Sequence, residues 1–237
     1  MPLPREPFTI HGGCNCKAIR YRISVPPHKD RVLSPYCTPG GDIGDHRLPV
    51  TQICHCNDCR HATAQLPSFI LMALTSSVQV SAAPTLADIE ALGNEHTWTP
   101  GTEMFDHTNT VHKETWLGLY KSTPVRSRWF CKRCGVQIAY NLDAGSVPEE
   151  WGWPVMVNFC LGTVDREYLE KDYMKPDHAN WTALGIPWVR DLVTKGRVDE
   201  HPLFALDRGM GDDITADVEE LEGLGLTIKS KISIVDN

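Results

Sequence analysis

The chain has 237 residues and a formal charge of −7, from 23 Lys+Arg against 30 Asp+Glu. That balance excludes a general polyanion binder, whose affinity comes from Lys and Arg neutralising phosphates. A hydrophobic share of 41% excludes a chain disordered throughout, and nine cysteines in this length are too sparse for a small disulfide scaffold.

Met1–Gly13 carries two prolines in its first four residues and no apolar run, so it does not read as a signal peptide. In Ala18–Val25, Ile19, Tyr21, Ile23 and Val25 alternate with Arg20, Arg22 and Ser24, the period of a half-buried strand. Pro26-Pro27 stops it. Residues 28–51, with Pro35, Pro39-Gly40-Gly41, Gly44 and Pro49, read as a long loop of the kind that marks an insertion. Ser68–Ala73 and Val78–Ser81 read as strands on either side of Thr75-Ser76-Ser77. Residues 84–115 form a second irregular stretch, with one short helix expected over Thr85–Leu92, capped by Thr85 and with Asp88 near its positive end.

Leu117–Lys121, Ser127–Phe130 and Val136–Tyr140 are expected strands, as is Val155–Leu161 before a Gly162-Thr163-Val164-Asp165 turn. Further on, Asp199–Leu206 is weakly patterned, Asp212–Leu221 reads as an acidic helix and Leu226–Val235 as a closing strand. The sum is a mainly β fold with few helices. One domain is expected over 1–190, with 191–237 as a C-terminal extension packed on it. The longest apolar run, Phe69–Leu74, is far shorter than the roughly 20 residues that cross a bilayer. No membrane partner is expected, and the expected compartment is the reducing cytoplasm, where cysteines persist as thiols or metal ligands.

The cysteines fall into groups by spacing. Cys131-x-x-Cys134 is followed by Gly135, the shape of a zinc knuckle: two thiolates reach one ion and the glycine permits the tight turn. Such a pair is half of a tetrahedral site, and Cys14-x-Cys16 is a matching half. Four thiolates close the shell of a structural zinc. Cys54-x-Cys56-x-x-Cys59 is different: three thiolates on one tight turn leave the fourth position open, as in a catalytic zinc site. The metal and three thiolates sum to a charge of about −1, against about −2 for four, and a thiol substrate would enter as thiolate. A redox dithiol would call for a thioredoxin-like βαβ pattern, which is absent. The partition stays open at His55, His61 and His11, any of which is a possible zinc ligand, although His55 between two ligands is expected to point away. Cys160 reads as a core residue and Cys37 as a loop thiol.

Taken together, Gly12-Gly13-Cys14-Asn15-Cys16 leading into Ile19-Arg20-Tyr21, the run Cys54-His55-Cys56-Asn57-Asp58-Cys59-Arg60, and Arg128-Trp129-Phe130-Cys131-Lys132-Arg133-Cys134-Gly135 resemble the glutathione-dependent formaldehyde-activating enzyme family, which includes centromere protein V. Asn158–Asp165, His178 and Trp188 resemble its later strand and tail, so the likeness covers about residues 10–190. The resemblance implies a tent-like arrangement of small antiparallel sheets. It implies two zinc ions per chain: a structural one on Cys14, Cys16, Cys131 and Cys134, and a catalytic one on Cys54, Cys56 and Cys59, where a thiol such as glutathione binds. The implied activity is that of a carbon–sulfur lyase, making or breaking an S-hydroxymethyl thiol adduct. The stretch between Cys16 and Cys54, residues 84–115 and the tail past 190 exceed the compact family pattern. Loops of this kind carry substrate choice, which opens the site to bulkier S-conjugates.

The expected function is therefore formation or cleavage of a C–S bond in a small thiol conjugate at the open zinc. The metal keeps the sulfur as a nucleophilic thiolate in one direction and stabilises it as a leaving group in the other. Arg60, directly after the last ligand, is the candidate partner for a substrate carboxylate, with a surface salt bridge as its ordinary alternative. His55, Asp58 and His178 are candidate proton carriers, and Trp129 and Phe130 are expected to pack around the structural zinc. The rival readings are a non-enzymatic zinc scaffold that binds a protein, and a thiol–zinc sensor or store. Against a scaffold of the basic-tailed kind, Asp207–Asn237 is acid-rich. No nucleic-acid partner is expected.

Overall fold

The computed structural model describes residues 3–35, 46–85 and 97–195. The chain divides into two units, Met1–Arg190 and Asp191–Asn237, and the eleven strands among the described residues lie in the first. Cys37 and the segments expected at Asp199–Leu206, Asp212–Leu221 and Leu226–Val235 lie outside the described residues, as does the expected helix at Thr85–Leu92 past Thr85.

The fold is mainly β, as expected, with few short helices. A four-stranded sheet runs in the order β1 (Phe8–Gly13), β2 (Ile19–Val25), β5 (Val78–Ala82), β6 (Thr99–Pro100). A seven-stranded sheet runs in the order β11 (His178–Asn180), β3 (Val50–Cys54), β4 (Ser68–Leu74), β10 (Met156–Cys160), β9 (Gln137–Leu142), β8 (Arg126–Cys131), β7 (Leu117–Thr123). Among the described residues, only the pairing of β11 with β3 is parallel. Helix α1 (Asn57–Thr63) follows β3, and others lie at Gly101–Met104, Arg166–Leu169 and Pro187–Lys195. No helix among the described residues is long and apolar enough to cross a membrane.

Strand β2 buries the alternating face read from its sequence: Ile19, Tyr21, Ile23 and Val25 all turn inward. They meet Leu71, Ala73, Trp129, Ile138 and Phe159 of the larger sheet in one core, where burial of apolar surface supplies the main driving force. Tyr21 stacks on Phe159 at 4.2 Å between centroids, and its hydroxyl hydrogen-bonds the Thr163 hydroxyl at 2.9 Å. Gly12 lets β1 come this close: a β-carbon there would sit 2.3 Å from the Tyr21 ring and 2.5 Å from the Thr163 carbonyl oxygen. Trp129 is fully buried, with Phe105 and His112 edge-on and its Nε1–H donating to Asn141 Oδ1 at 2.6 Å.

Several elements differ from the sequence reading. The long loop of 28–51 holds a short 3-10 turn at His28–Asp30, a bridge between Leu33 and Arg47, and at its end the first residues of β3. The irregular stretch of 84–115 contributes β6 and the helix Gly101–Met104. Strand β1, where the sequence reading assigned no element, pairs with β2 along its whole length.

Candidate metal centres

The first cysteine group forms where two turns meet. Cys14 follows β1 and Cys16 sits in the turn into β2, closed by the Lys17 N–H to the Cys14 carbonyl at 3.1 Å, with Lys17 in the left-handed region at φ 63°. Cys131 ends β8, and Cys134 lies in the turn into β9. There the Gly135 N–H reaches the Cys131 carbonyl at 2.8 Å, and Gly135 takes φ 75°, a conformation that glycine adopts without a β-carbon clash. The four sulfurs lie within 4.8 Å of one another, with Cys14–Cys16 at 3.5 Å and Cys16–Cys131 at 3.6 Å. A tetrahedral thiolate site with metal–sulfur bonds of about 2.3 Å places its sulfurs about 3.8 Å apart. A disulfide would need about 2.05 Å, and all four cysteines are free. The Ile19 N–H donates to Cys14 Sγ at 3.3 Å, an outer contact of the kind that orients a thiolate ligand.

Electrostatics also favours a cation here. The hydrogen bond from the Cys14 thiol pulls Cys131 down to about 5, while the same bond, with burial, pushes Cys14 far up. Crowded thiols cannot all ionise unaided; one takes the charge and a neighbour holds the proton. A divalent ion removes that conflict.

The second group spans a strand end and a helix start rather than one tight turn. Cys54 ends β3, Cys56 caps α1, and Cys59 lies in the helix. Their sulfurs also lie within 4.8 Å of one another. Cys54 donates to Cys56 at 3.4 Å, and the Cys59 N–H reaches Cys56 Sγ at 3.3 Å. The thiols of Cys54 and Cys59 pull Cys56 down to about 2, and the bond to Cys56 pushes Cys54 far up, the same conflict as in the first group. Cys54 and Cys59 are buried and Cys56 half-buried. Among the described residues, no histidine, aspartate or glutamate joins either group. Of the alternative ligands, His11 Nδ1 lies 2.8 Å from the Tyr168 hydroxyl and His61 Nε2 lies 2.7 Å from Arg60.

Around the three thiols stand two arginines, Arg126 and Arg128, to which the sequence reading gave no role at the site. Arg128, on β8, is fully buried. Its Nη2 donates to Asp58 Oδ2 at 2.7 Å and lies 4.0 Å from Cys59 Sγ. Its Nε donates to the Ser122 hydroxyl at 2.9 Å, and its guanidinium lies 5.0 Å from the centre of the Tyr140 ring. Arg126 donates to the same Asp58 oxygen at 2.6 Å. Burial pushes the Asp58 carboxyl up, but the bonds from Arg128 and Arg126 outweigh it and hold the group below the usual carboxylate range. Asp58 is thus a structural ion-pair partner.

Arg60 Nη2 lies 2.7 Å from His61 and 3.5 Å from Asn57 Oδ1. With Cys54, His55, Leu66, Leu184 and Ile186 it also lines a hollow beside the three-thiol group. His55 is buried there, its Nε2 has no hydrogen-bond partner, and burial, then the charge of Arg190, lowers its pKa. Its ring packs so closely on Gly185 that a β-carbon there would lie 2.9 Å from Nδ1. His178 belongs to an amide network: its Nε2 lies 3.2 Å from Gln52 Oε1, which also accepts from Asn180 at 2.5 Å. Cys160 is buried in β10 as expected, its thiol pushed up to about 12 by burial. Trp129 shares its core with Cys14 and Cys131, while Phe130 packs on Tyr120.

The chain matches no family model and no curated protein. Among solved structures, the crystal structure of a protein from Rhodobacter sphaeroides aligns with 68% of this chain and 95% of that chain, at 15% identity and a TM-score of 0.33.

Proposed function

We propose that the chain is a zinc-dependent carbon–sulfur lyase that forms or cleaves the C–S bond of a small thiol conjugate at Cys54, Cys56 and Cys59. The observation that carries this reading is the inequality of the two groups: four thiols converge at one and three at the other, with no fourth protein donor among the described residues. A closed four-thiolate shell is suited to holding structure, and an open three-thiolate shell to taking a ligand. Zinc held by the three thiolates would supply a Lewis acid that keeps a substrate sulfur in its thiolate form.

The protein's own residues do the rest. The small hollow beside Cys54 has an apolar wall from Leu66, Leu184 and Ile186, which lowers the polarity on one side of the three-thiol group. Arg60 opens onto the same hollow and is the proposed carboxylate partner, exchanging its hydrogen bond to His61 for one to substrate. His55, kept neutral by burial and with Nε2 unengaged, is the proposed proton carrier. The proposed compartment is the cytoplasm, where a reducing poise keeps all seven clustered thiols available.

The test is a panel of S-hydroxymethylglutathione and glutathione and cysteine conjugates, scored for thiol release, with metal counted per chain. The reading expects two metal ions and turnover of at least one conjugate. Cys56→Ala should lose one ion and the turnover while keeping the fold. Full turnover by Cys56→Ala would refute the open-site mechanism.

A further inference from the structure

Arg128 is the one fully buried arginine of the larger sheet, and its partners do not neutralise it alone. Asp58 offers one oxygen, Oδ2, to both Arg126 and Arg128. Two guanidinium groups and one carboxylate leave a surplus of one positive charge. That surplus lies against the three-thiol group: Arg128 Nη2 is 4.0 Å from Cys59 Sγ, and Nη1 is buried with no hydrogen-bond partner. Tyr140, under the guanidinium, also packs against the buried cluster of Cys54, Cys59 and Ile70. A buried charge is costly unless something opposes it. The opposing charge is at hand, because a divalent ion and three thiolates sum to −1.

We propose that Arg128, held in place by Asp58, Ser122 and Tyr140, is the fixed counter-charge of the three-thiolate centre and makes its fourth position prefer an anionic thiolate to a neutral donor. The inference rests on the three thiols being a metal centre, as proposed above. With Arg128 in place the centre is neutral before the fourth ligand arrives, and a thiolate takes it only to −1. Without it the thiolate approaches a centre already at −1. A neutral donor such as imidazole is indifferent to that charge. Arg128 touches no reacting atom in this scheme; it is a positioning residue whose effect is electrostatic.

The test loads the full-length chain with Co²⁺, whose thiolate charge-transfer and ligand-field bands report both centres. 2-Mercaptoethanol and, separately, imidazole are titrated into the three-thiolate centre. Arg128→Met should weaken thiol binding about tenfold, the effect of a unit charge several ångströms away at an intermediate dielectric. Imidazole binding should stay within about twofold, since it carries no charge to oppose. Arg128→Lys keeps the charge and should keep most of the preference. Asp58→Asn, which removes a negative charge, should shift the ratio towards thiol. Parallel loss of both ligands in Arg128→Met, or an unchanged ratio, overturns the inference. If Arg128→Met loses the bands of the four-thiolate centre and so fails to fold, the Arg128→Lys and Asp58→Asn ratios decide, and an unchanged ratio in Asp58→Asn overturns it. Failure of the native chain to show any bands from the three-thiol group sinks the metal-centre reading itself, and this inference with it.

Discussion

Removing Cys131 and removing Cys56 should damage the protein to different degrees, and the difference can be worked from chain separation. The four-thiol group joins Cys16 to Cys131, 115 residues apart in the chain. A metal ion can hold all four thiols in an unfolded chain only by closing that loop, at an entropic penalty of about 5 kcal/mol on the cross-link scale. The folded protein has already brought them together, so the ion favours folded over unfolded by about that amount through linkage. Cys54, Cys56 and Cys59 lie within one short segment, and closing it amounts to only about 2 kcal/mol on the same scale. An unfolded chain can hold that ion almost as well as a folded one. At about 2–4 °C per kcal/mol for a domain of this size, Cys131→Ser should lower Tm by about 10–20 °C and Cys56→Ser by about 4–8 °C. The assay is thermal unfolding followed by near-ultraviolet circular dichroism, with metal per chain measured by inductively coupled plasma mass spectrometry. Equal drops in Tm for the two variants, each with one ion lost, would refute the assignment of one group as a long-range staple and the other as a local site.

Other consequences follow from single contacts. The Asp143 carboxyl is pushed up by burial but pulled further down by the Lys121 ammonium and the Ser127 hydroxyl, so it is depressed on balance. Its contribution to stability is present above the unfolded value of about 4 and is lost as pH falls through the folded one. Tm measured against pH should therefore decline on the acid side, and Asp143→Asn should flatten that decline; an unchanged profile would count against the clasp. Trp129→Phe leaves the Asn141 oxygen without its indole donor in a dry site and should cost about 1–3 kcal/mol in urea denaturation. A variant as stable as the parent would show that the bond is dispensable. Gly12→Ala drives a β-carbon into the Tyr21 ring and the Thr163 carbonyl and should destabilise by about 1–3 kcal/mol while retaining both ions. Loss of an ion in that variant would mean that β1 positions Cys14 less rigidly than its pairing implies.

Legibility in the sequence tracked how local each cause was. Strand β2 was readable because its alternation is carried by its own residues. Strand β3 was not, because all five of its residues are buried, Thr51 and Gln52 included. Those polar side chains tolerate burial through partners far along the chain: Thr51 donates to the Lys175 carbonyl, and Gln52 accepts from Asn180. No pattern within Val50–Cys54 announces them. Strand β1 has two terminal glycines and a histidine among its six residues, and it is held by register with β2 rather than by propensity. The three-thiol group was legible from spacing alone, although the strand-to-helix geometry was not. The four-thiol group was legible because ligand count is chemistry: a lone Cys-x-x-Cys needs a complement wherever the chain supplies one.

Arg128 shows where such reading stops. Strict alternation along β8 puts Ser127, Trp129 and Cys131 on one face and Arg126, Arg128 and Phe130 on the other, which would normally turn the arginines to water. In the sheet, Tyr120 of β7 and Tyr140 of β9 stand directly opposite Arg128 on its two sides. Helix α1 then covers it with Asp58, 70 residues away in the chain. That aspartate lies between Cys56 and Cys59, so one helical turn presents two sulfurs to the centre and a carboxylate to the arginine behind it. The spacing of the cysteine motif and the charge behind it are therefore coupled. A change of length between Cys56 and Cys59 would move Asp58 off both arginines as well as disrupt the sulfurs. Asp58→Asn leaves the sulfur spacing intact and keeps an oxygen acceptor for the arginines while removing the carboxylate charge, which is why it separates the geometry of the centre from its charge.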